Sequence, residues 1–409
     1  MTQTKIVNVA AGVLMRPDGH VLLAQRPAGK PYEGWWEFPG GKFEPGENAE
    51  VAVTRELEEE LGIRVLASSP WVVREHVYEH AHVRLFFRRI TAWEGEPRGR
   101  EGQQLAWCAL DTVNLDPLLP ASVDLIRWLQ LSPVYVISDA AGQGIDTWLA
   151  RLSSWLEGGH AIPASAAASS RAAPAVPGVG ASARAVSVAA VGRDVSVDAE
   201  AERDAPASAG ADAGESAVIR WASRSLPRLL LLREPDLPAD AFSHLLTETL
   251  ARLEGHDVRV LVSSRHPEQA ARLAAERTRG GLHLTGADLR ALSRSGGDVQ
   301  NEMQASACGW AGQKNLQILR SEYPLIAASC HSVEDLQRAG LLQLDLAVYG
   351  PVLPTRSHPG SAGLGWAAFA QMLAAAPIPV YALGGMLPAH LPNALQAGAQ
   401  GVAMQRGVW

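Results

Sequence analysis

Three glutamates, Glu56, Glu59 and Glu60, lie three and four residues apart within the run Ala49–Leu61. On a helix those spacings put all three carboxylates on one face. The run is rich in Ala, Glu, Leu and Arg, and Gly62 stands where a C-cap belongs, so the pattern predicts a helix over 49–61. Val53, Leu57 and Leu61 form an apolar stripe that can pack while the acidic face collects charge. Crowded carboxylates repel one another unless a cation joins them. Oxygen-only ligands suit a hard ion, which points to magnesium, or manganese, rather than zinc. Just upstream, Phe38-Pro39-Gly40-Gly41-Lys42 forms a glycine-bearing loop whose backbone can closely approach a phosphate or a metal. An acidic helix face is often only a solvated surface with ordinary charge pairs. The register of the glycines, Glu47 and Arg55 with the acids favours chemistry on a phosphate.

Gly41, Glu47, Arg55, Glu56, Leu57, Glu59, Glu60, Gly62 and Ile63 complete the pattern G-x5-E-x7-R-E-U-x-E-E-x-G-U, with U apolar, without substitution. This pattern resembles the Nudix box. Residues 1–130 as a whole resemble the MutT-like branch of Nudix hydrolases, which acts on oxidised guanine nucleotides. Further cues are Trp36-Glu37-Phe38-Pro39-Gly40-Gly41-Lys42, Trp93-Glu94-Gly95-Glu96-Pro97 and Arg100-Glu101-Gly102-Gln103. The resemblance implies an α/β/α sandwich with magnesium held by Glu56, Glu59, Glu60 and the Gly40 carbonyl. Glu101 would complete that site and orient the attacking water. By the same resemblance Glu56, Glu59, Glu101 and Lys42 are the catalytic set, with Lys42 beside the departing phosphate. Arg26, Phe38 and Ser122 would contact the nucleotide, and Arg55 and Glu47 would brace loop and helix. Attack at phosphorus would release a monophosphate and pyrophosphate from a nucleoside triphosphate.

Two positions depart from the branch. An asparagine that reads the oxidised guanine edge in a Pro-Ala-Asn context is here Ser122, after Pro120-Ala121. A second base-side arginine falls at Ala81. Serine is shorter than asparagine and lacks its paired donor and acceptor. Pyrophosphate cleavage is therefore better supported than 8-oxoguanine selectivity.

The chain has 409 residues and a net charge of −7, which suits two or three domains and argues against nucleic-acid binding. No apolar run is as long as a membrane span, and the first residues carry no secretion signal. Cys108, Cys308 and Cys330 are scattered, as in a reduced cytoplasmic protein. His76, His80 and His82 alternate around Tyr78, which reads as a polar strand face before it reads as a zinc site.

Beyond Trp128 eight strand-like runs alternate with helical ones: Val134–Ile137, Leu229–Leu232, Arg259–Val262, Leu282–Leu284, Leu325–Ala328, Leu346–Tyr349, Val380–Leu383 and Val402–Met404. That count predicts a TIM-type (β/α)8 barrel over 133–409. A helix is expected over Ile145–Glu157. The Ala/Ser/Gly/Pro-rich stretch 158–217 has too few large apolar side chains to fold alone and is expected to be a disordered insertion, with a shorter insertion over Arg294–Lys314. The expected architecture is thus two domains, one α+β and one α/β.

The strand ends resemble thiamine phosphate synthase and its TenI-like relatives, through Leu232-Arg233-Glu234, Leu282-His283-Leu284, Ser329-Cys330-His331-Ser332, Gly350-Pro351-Val352-Leu353-Pro354-Thr355 and Ala382-Leu383-Gly384-Gly385-Met386. Several catalytic positions differ. Ser263 and Ser264 stand for an Asn-Asp pair, and Thr355-Arg356-Ser357-His358 has lost a lysine. Gln405 or Arg406 replaces a phosphate-binding serine, and Pro351 replaces the tautomerase histidine. Asp288 and Arg233 keep the matching types. The barrel is therefore expected to lack both known activities while holding a phosphorylated ligand at Gly384 and Gly385, unless those glycines serve only a tight turn. The chain runs only to Trp409, which leaves the side after the last strand to be covered by a second subunit, as a homo-oligomer, or by the N-terminal domain.

Three alternatives to a nucleotide hydrolase stay open. The substrate could be a thiamine-pathway diphosphate, the barrel could make thiamine phosphate, or the barrel could be a non-catalytic sensor.

Overall fold

The computed structural model describes residues 6–16, 18–79, 81–157, 226–275, 280–292, 316–356, 360 and 362–408. The stretches 158–217 and 294–314, with His80, Cys308, Ser357 and His358, lie outside the described residues.

The N-terminal domain runs β1 (Ile6–Leu14), β2 (His20–Gln25), β3 (Trp36–Glu37), β4 (Gly40–Lys42), α1 (Ala49–Leu61), β5 (Arg64–Val77), β6 (His82–Glu94), β7 (Leu105–Ala109) and α2 (Pro120–Leu129). Its main sheet has the order β4-β1-β6-β5, and a smaller one has β3-β2-β7. Alternation along β1 sorts the side chains. Ala10 and Leu14 pack with Val53, Leu57 and Leu61 of α1. Ala11 and Val13 face the opposite core with Leu125 and Leu129 of α2. The result is an α/β/α sandwich. Gly12 lets α1 lie close, since a Cβ there would sit 2.8 Å from Leu57 Cδ1.

The C-terminal domain continues with β8 (Val134–Ile137), α3 (Ala140–Gln143), α4 (Ile145–Glu157), β9 (Arg228–Leu232), α5 (Ala239–Arg252), β10 (Val258–Ser263), α6 (Pro267–Ala274), β11 (Gly280–Leu284), α7 (Gly286–Ala291), α8 (Leu316–Glu322), β12 (Leu325–Cys330), α9 (Val333–Leu341), β13 (Leu346–Tyr349), α10 (Gly365–Leu373), β14 (Val380–Leu383), α11 (Leu391–Gln396) and β15 (Gly401–Met404). The strands β8 to β15 close into one parallel barrel, with β15 pairing back to β8. Each predicted strand is present within a residue or two of its expected ends. Among the described residues no helix is long and apolar enough to cross a membrane.

The two domains share one apolar core, which runs from Trp71, Val72 and Phe87 into the barrel. The contacts fall on segments that precede barrel strands. The Val73 amide donates to the Ala376 carbonyl ahead of β14 at 2.8 Å. Buried Arg89 donates to the Ala399 carbonyl at 2.9 Å and to Gln400 Oε1 at 2.6 Å, just ahead of β15. Trp71 Nε1 donates to the same Gln400 oxygen at 3.0 Å, and the Arg89 guanidinium lies 4.7 Å from the Trp71 ring centre. Gln400 Nε2 returns to the Leu131 carbonyl at 3.0 Å, ahead of β8. The N-terminal domain therefore covers the N-terminal end of the barrel.

Candidate active site

Helix α1 is pinned at both ends. Asn48 Oδ1 accepts from the Glu50 and Val51 amides, and Gly62 closes the helix in the left-handed conformation at φ 70°. This fixes the rotation of the acidic face against β4. A Cβ on Gly41 would lie 2.2 Å from the carboxyl carbon of Glu56, so the loop backbone is held directly against that carboxylate. Gly40 has φ 148°, and a Cβ there would meet the Ala10 carbonyl at 2.1 Å.

Arg55 braces this corner. It donates twice to Glu47 at 2.9 and 3.0 Å, to Glu56 at 2.9 Å, to Glu59 at 3.2 Å and to the Lys42 carbonyl at 3.0 Å. Those hydrogen bonds hold the Glu47 carboxyl down at about 2 and raise the Arg55 guanidinium above its ordinary range.

The Arg98–Gln103 loop is stapled to the C-terminal end of α1. The Arg100 amide donates to the Glu60 carbonyl at 2.9 Å, and Gln103 Nε2 donates to the same carbonyl at 3.2 Å. This brings Glu101 beside Glu60. Burial, and then the nearby charges of Glu101 and Glu56, push the Glu60 carboxyl up to about 7. Lys30 Nζ lies 2.7 Å from Glu101 Oε2, and that hydrogen bond raises the lysine.

Oxygen donors crowded over a tight glycine backbone, with Glu60 raised by burial and by its neighbours, form a donor set that fits a hard divalent cation. Among the described residues no three acidic, histidine or cysteine side chains converge closely enough to hold a cation as they stand. Arg55 and Lys30 engage carboxylate oxygens of Glu56, Glu59 and Glu101 in this structure. A cation would compete with both.

Lys42 is exposed at the end of β4. Arg26 donates to Glu37 at 2.5 Å and to the Pro31 carbonyl at 2.6 Å. Phe38 is buried edge-on against Phe87. Ser122 is buried in the first turn of α2, where its amide donates to the Leu119 carbonyl at 2.8 Å. Sequence reasoning missed Lys30, Glu37 and an aromatic group beside them. Tyr32 packs on Trp35 at 5.2 Å and on Tyr78 at 5.3 Å between ring centres, and His76 lies 4.3 Å from Tyr78. The only local signal was two aromatics in a loop otherwise rich in Pro and Gly. Of the neighbouring histidines, His82 lies on the β6 face and pairs with Glu75 at 3.3 Å.

At the C-terminal mouth of the barrel, neutral donors take up two of the buried acids, Glu234 and Asp288. The Ala140 and Ala141 amides donate to Glu234 at 2.7 and 2.9 Å. Ser264 and Thr285 hydroxyls each donate to Asp288 Oδ2 at 2.6 Å. Gly384 and Gly385 have φ of 96° and 67°, and a Cβ on them would collide with Pro351 and with the Pro354 carbonyl. The turn therefore requires glycine whatever else it does. Deeper in, His283 lies between the Tyr135 hydroxyl at 3.0 Å and the Ser329 hydroxyl at 2.9 Å.

A family profile described as NUDIX domain matches residues 5–129, and one described as thiamine monophosphate synthase matches residues 311–408. An 8-oxo-dGTP diphosphatase from Haemophilus influenzae is 38% identical over 125 residues, covering 31% of this chain and 92% of its own length. An 8-oxo-dGTP diphosphatase from Escherichia coli is 36% identical over 126 residues, covering 31% of this chain and 98% of its own. A CTP pyrophosphohydrolase from the same organism is 38% identical over 129 residues, covering 30% and 90%. Relatives named for different bases are thus about equally similar to this chain.

Proposed function

Through its N-terminal domain the chain belongs to the Nudix hydrolases, and from that premise we propose that it is a magnesium-dependent cytoplasmic enzyme that cleaves 8-oxo-dGTP to the monophosphate and pyrophosphate. The observation that carries this reading is the acidic corner of Glu56, Glu59, Glu60 and Glu101 around Gly40 and Gly41, with Glu60 pushed up to about 7 by burial and its neighbours. In this reading those four side chains and the Gly40 carbonyl would hold the metal. When bound, magnesium supplies positive charge to the phosphate oxygens and a more acidic water.

The remaining roles belong to the protein. Glu101 orients the attacking water and its carboxylate receives the proton. Lys42, exposed beside the loop, stabilises the departing phosphate. Arg55 keeps Glu56 and Glu59 facing the glycine loop, which sets attack geometry without touching substrate. Arg26, Phe38 and Ser122 line the nucleoside side. The barrel is not an active synthase in this reading, because Ser263 and Ser264 stand for the Asn-Asp pair and Thr355-Arg356-Ser357-His358 has lost the lysine. It holds a phosphorylated ligand at Gly384 and Gly385.

The test is pyrophosphate release with magnesium from 8-oxo-dGTP, dGTP, hydroxymethylpyrimidine diphosphate and thiamine diphosphate. Strong preference for 8-oxo-dGTP supports the reading. Preference for a thiamine-type diphosphate replaces the substrate and keeps the chemistry. Glu56→Gln should abolish turnover with the fold intact, and normal turnover in that variant removes the metal-site assignment.

A further inference from the structure

One loop joins the acidic corner to the aromatic group. Lys30 reaches Glu101, while Tyr32 and Trp35, a few residues on, pack toward Tyr78 at the end of the β5–β6 hairpin. A ligand with a polyphosphate at one end and a flat ring at the other matches that layout. The pairing of β3 with the segment before α2 completes the ring end. The Trp36 amide donates to the Pro117 carbonyl at 2.8 Å, and the Leu119 amide to the Trp36 carbonyl at 2.9 Å. Pro120, Ala121 and Ser122 are thereby set beside Glu37.

Ser122 is buried in the first turn of α2, with 3% of its surface exposed. Tyr78 is half-buried, and its hydroxyl oxygen accepts from the Ala121 amide next door. We propose that Tyr78, and not the residue at 122, selects the base: its ring and that of Tyr32 take the base face, and its hydroxyl donates to a carbonyl oxygen on the base edge. A phenol oxygen that accepts from an amide meets a ligand as a donor. A donor at this point favours purines that carry a carbonyl, such as guanine and its oxidised form, over adenine, whose exocyclic amine is itself a donor. This inference rests on the nucleotide reading above.

The experiment measures kcat/KM for 8-oxo-dGTP, dGTP and dATP with the full chain, its Tyr78→Phe and Tyr78→Ala variants and Ser122→Ala. Tyr78→Phe keeps the ring and should lower the dGTP-to-dATP ratio of kcat/KM about tenfold, the scale of one lost hydrogen bond. Tyr78→Ala should also raise KM for all three nucleotides by about tenfold or more, through lost stacking. An unchanged ratio in Tyr78→Phe overturns the inference, as does a ratio that moves only in Ser122→Ala. If the unmodified chain cleaves a thiamine-type diphosphate and no nucleotide, the nucleotide reading falls and the inference falls with it. Nucleotide cleavage with an unmoved ratio overturns the Tyr78 assignment alone.

Discussion

Replacing Gly41 by alanine should separate catalysis from folding. The added Cβ would lie 2.2 Å from the Glu56 carboxyl carbon, whereas ordinary contact begins at 3.4 Å. The carboxylate must therefore retreat by roughly 1 Å, and misplacement on that scale costs about 100-fold in rate. The clash is with the far end of a flexible side chain, not with backbone, and Gly41 is not among the glycines with positive φ. The fold should thus be nearly unaffected, with a stability change below about 1 kcal/mol. The assay pairs steady-state pyrophosphate release with thermal unfolding and a magnesium titration. The expected result is a loss of kcat near 100-fold, weakened magnesium binding and an unchanged melting temperature. Wild-type kcat in a folded Gly41→Ala protein would refute the idea that loop and carboxylate form one site. Loss of folding would show instead that the glycine serves the β4 pairing.

Lys30→Ala frees Glu101 from its lysine, so magnesium should bind up to about fivefold more tightly in a substrate-free titration, the range of a half-exposed ion pair; unchanged affinity would show that lysine and cation do not compete. Arg89→Ala removes a buried group donating to Ala399 and Gln400, and should cost about 2–4 kcal/mol in urea unfolding and expose the domain junction to proteolysis; wild-type stability would show that the junction does not depend on it. Burial holds His283 down at about 3, so the folded barrel keeps it neutral while the unfolded chain takes up a proton below its ordinary value near 6.5. The unfolded state then binds more protons, and stability falls as pH falls, by about 2 kcal/mol between about pH 7 and 5. His283→Gln should flatten that slope, and parallel slopes would remove histidine as its source.

Much of this was legible in local sequence. Helix α1 has the bounds its composition and Gly62 imply, because both caps are local chemistry. The barrel strands were legible because buried parallel strands are continuous apolar runs separated by helical ones. The acidic face followed from spacing alone. What escaped were groupings made by distant segments. Nothing near Tyr78 announces Tyr32, nothing near Arg89 announces Gln400, and nothing near Lys30 announces Glu101. Each pair exists only because strands from different parts of the chain are brought side by side. Position 122 was chosen by analogy with a motif, and the half-buried Tyr78 next to it had no such motif to mark it.

The orientation of the barrel has a consequence for how the halves cooperate. The N-terminal domain touches the segments that lead into β8, β14 and β15, while Ser264, Gly384 and Gly385 lie beyond the opposite ends of their strands. A product formed at Gly41 then starts on the opposite side of the barrel from the mouth. Separate ends predict that a scavenging enzyme in solution intercepts any shared metabolite, and retention of that metabolite would refute the separation. The fusion fixes the two domains at equal copy number and in one place, and leaves each end open to the surrounding small molecules.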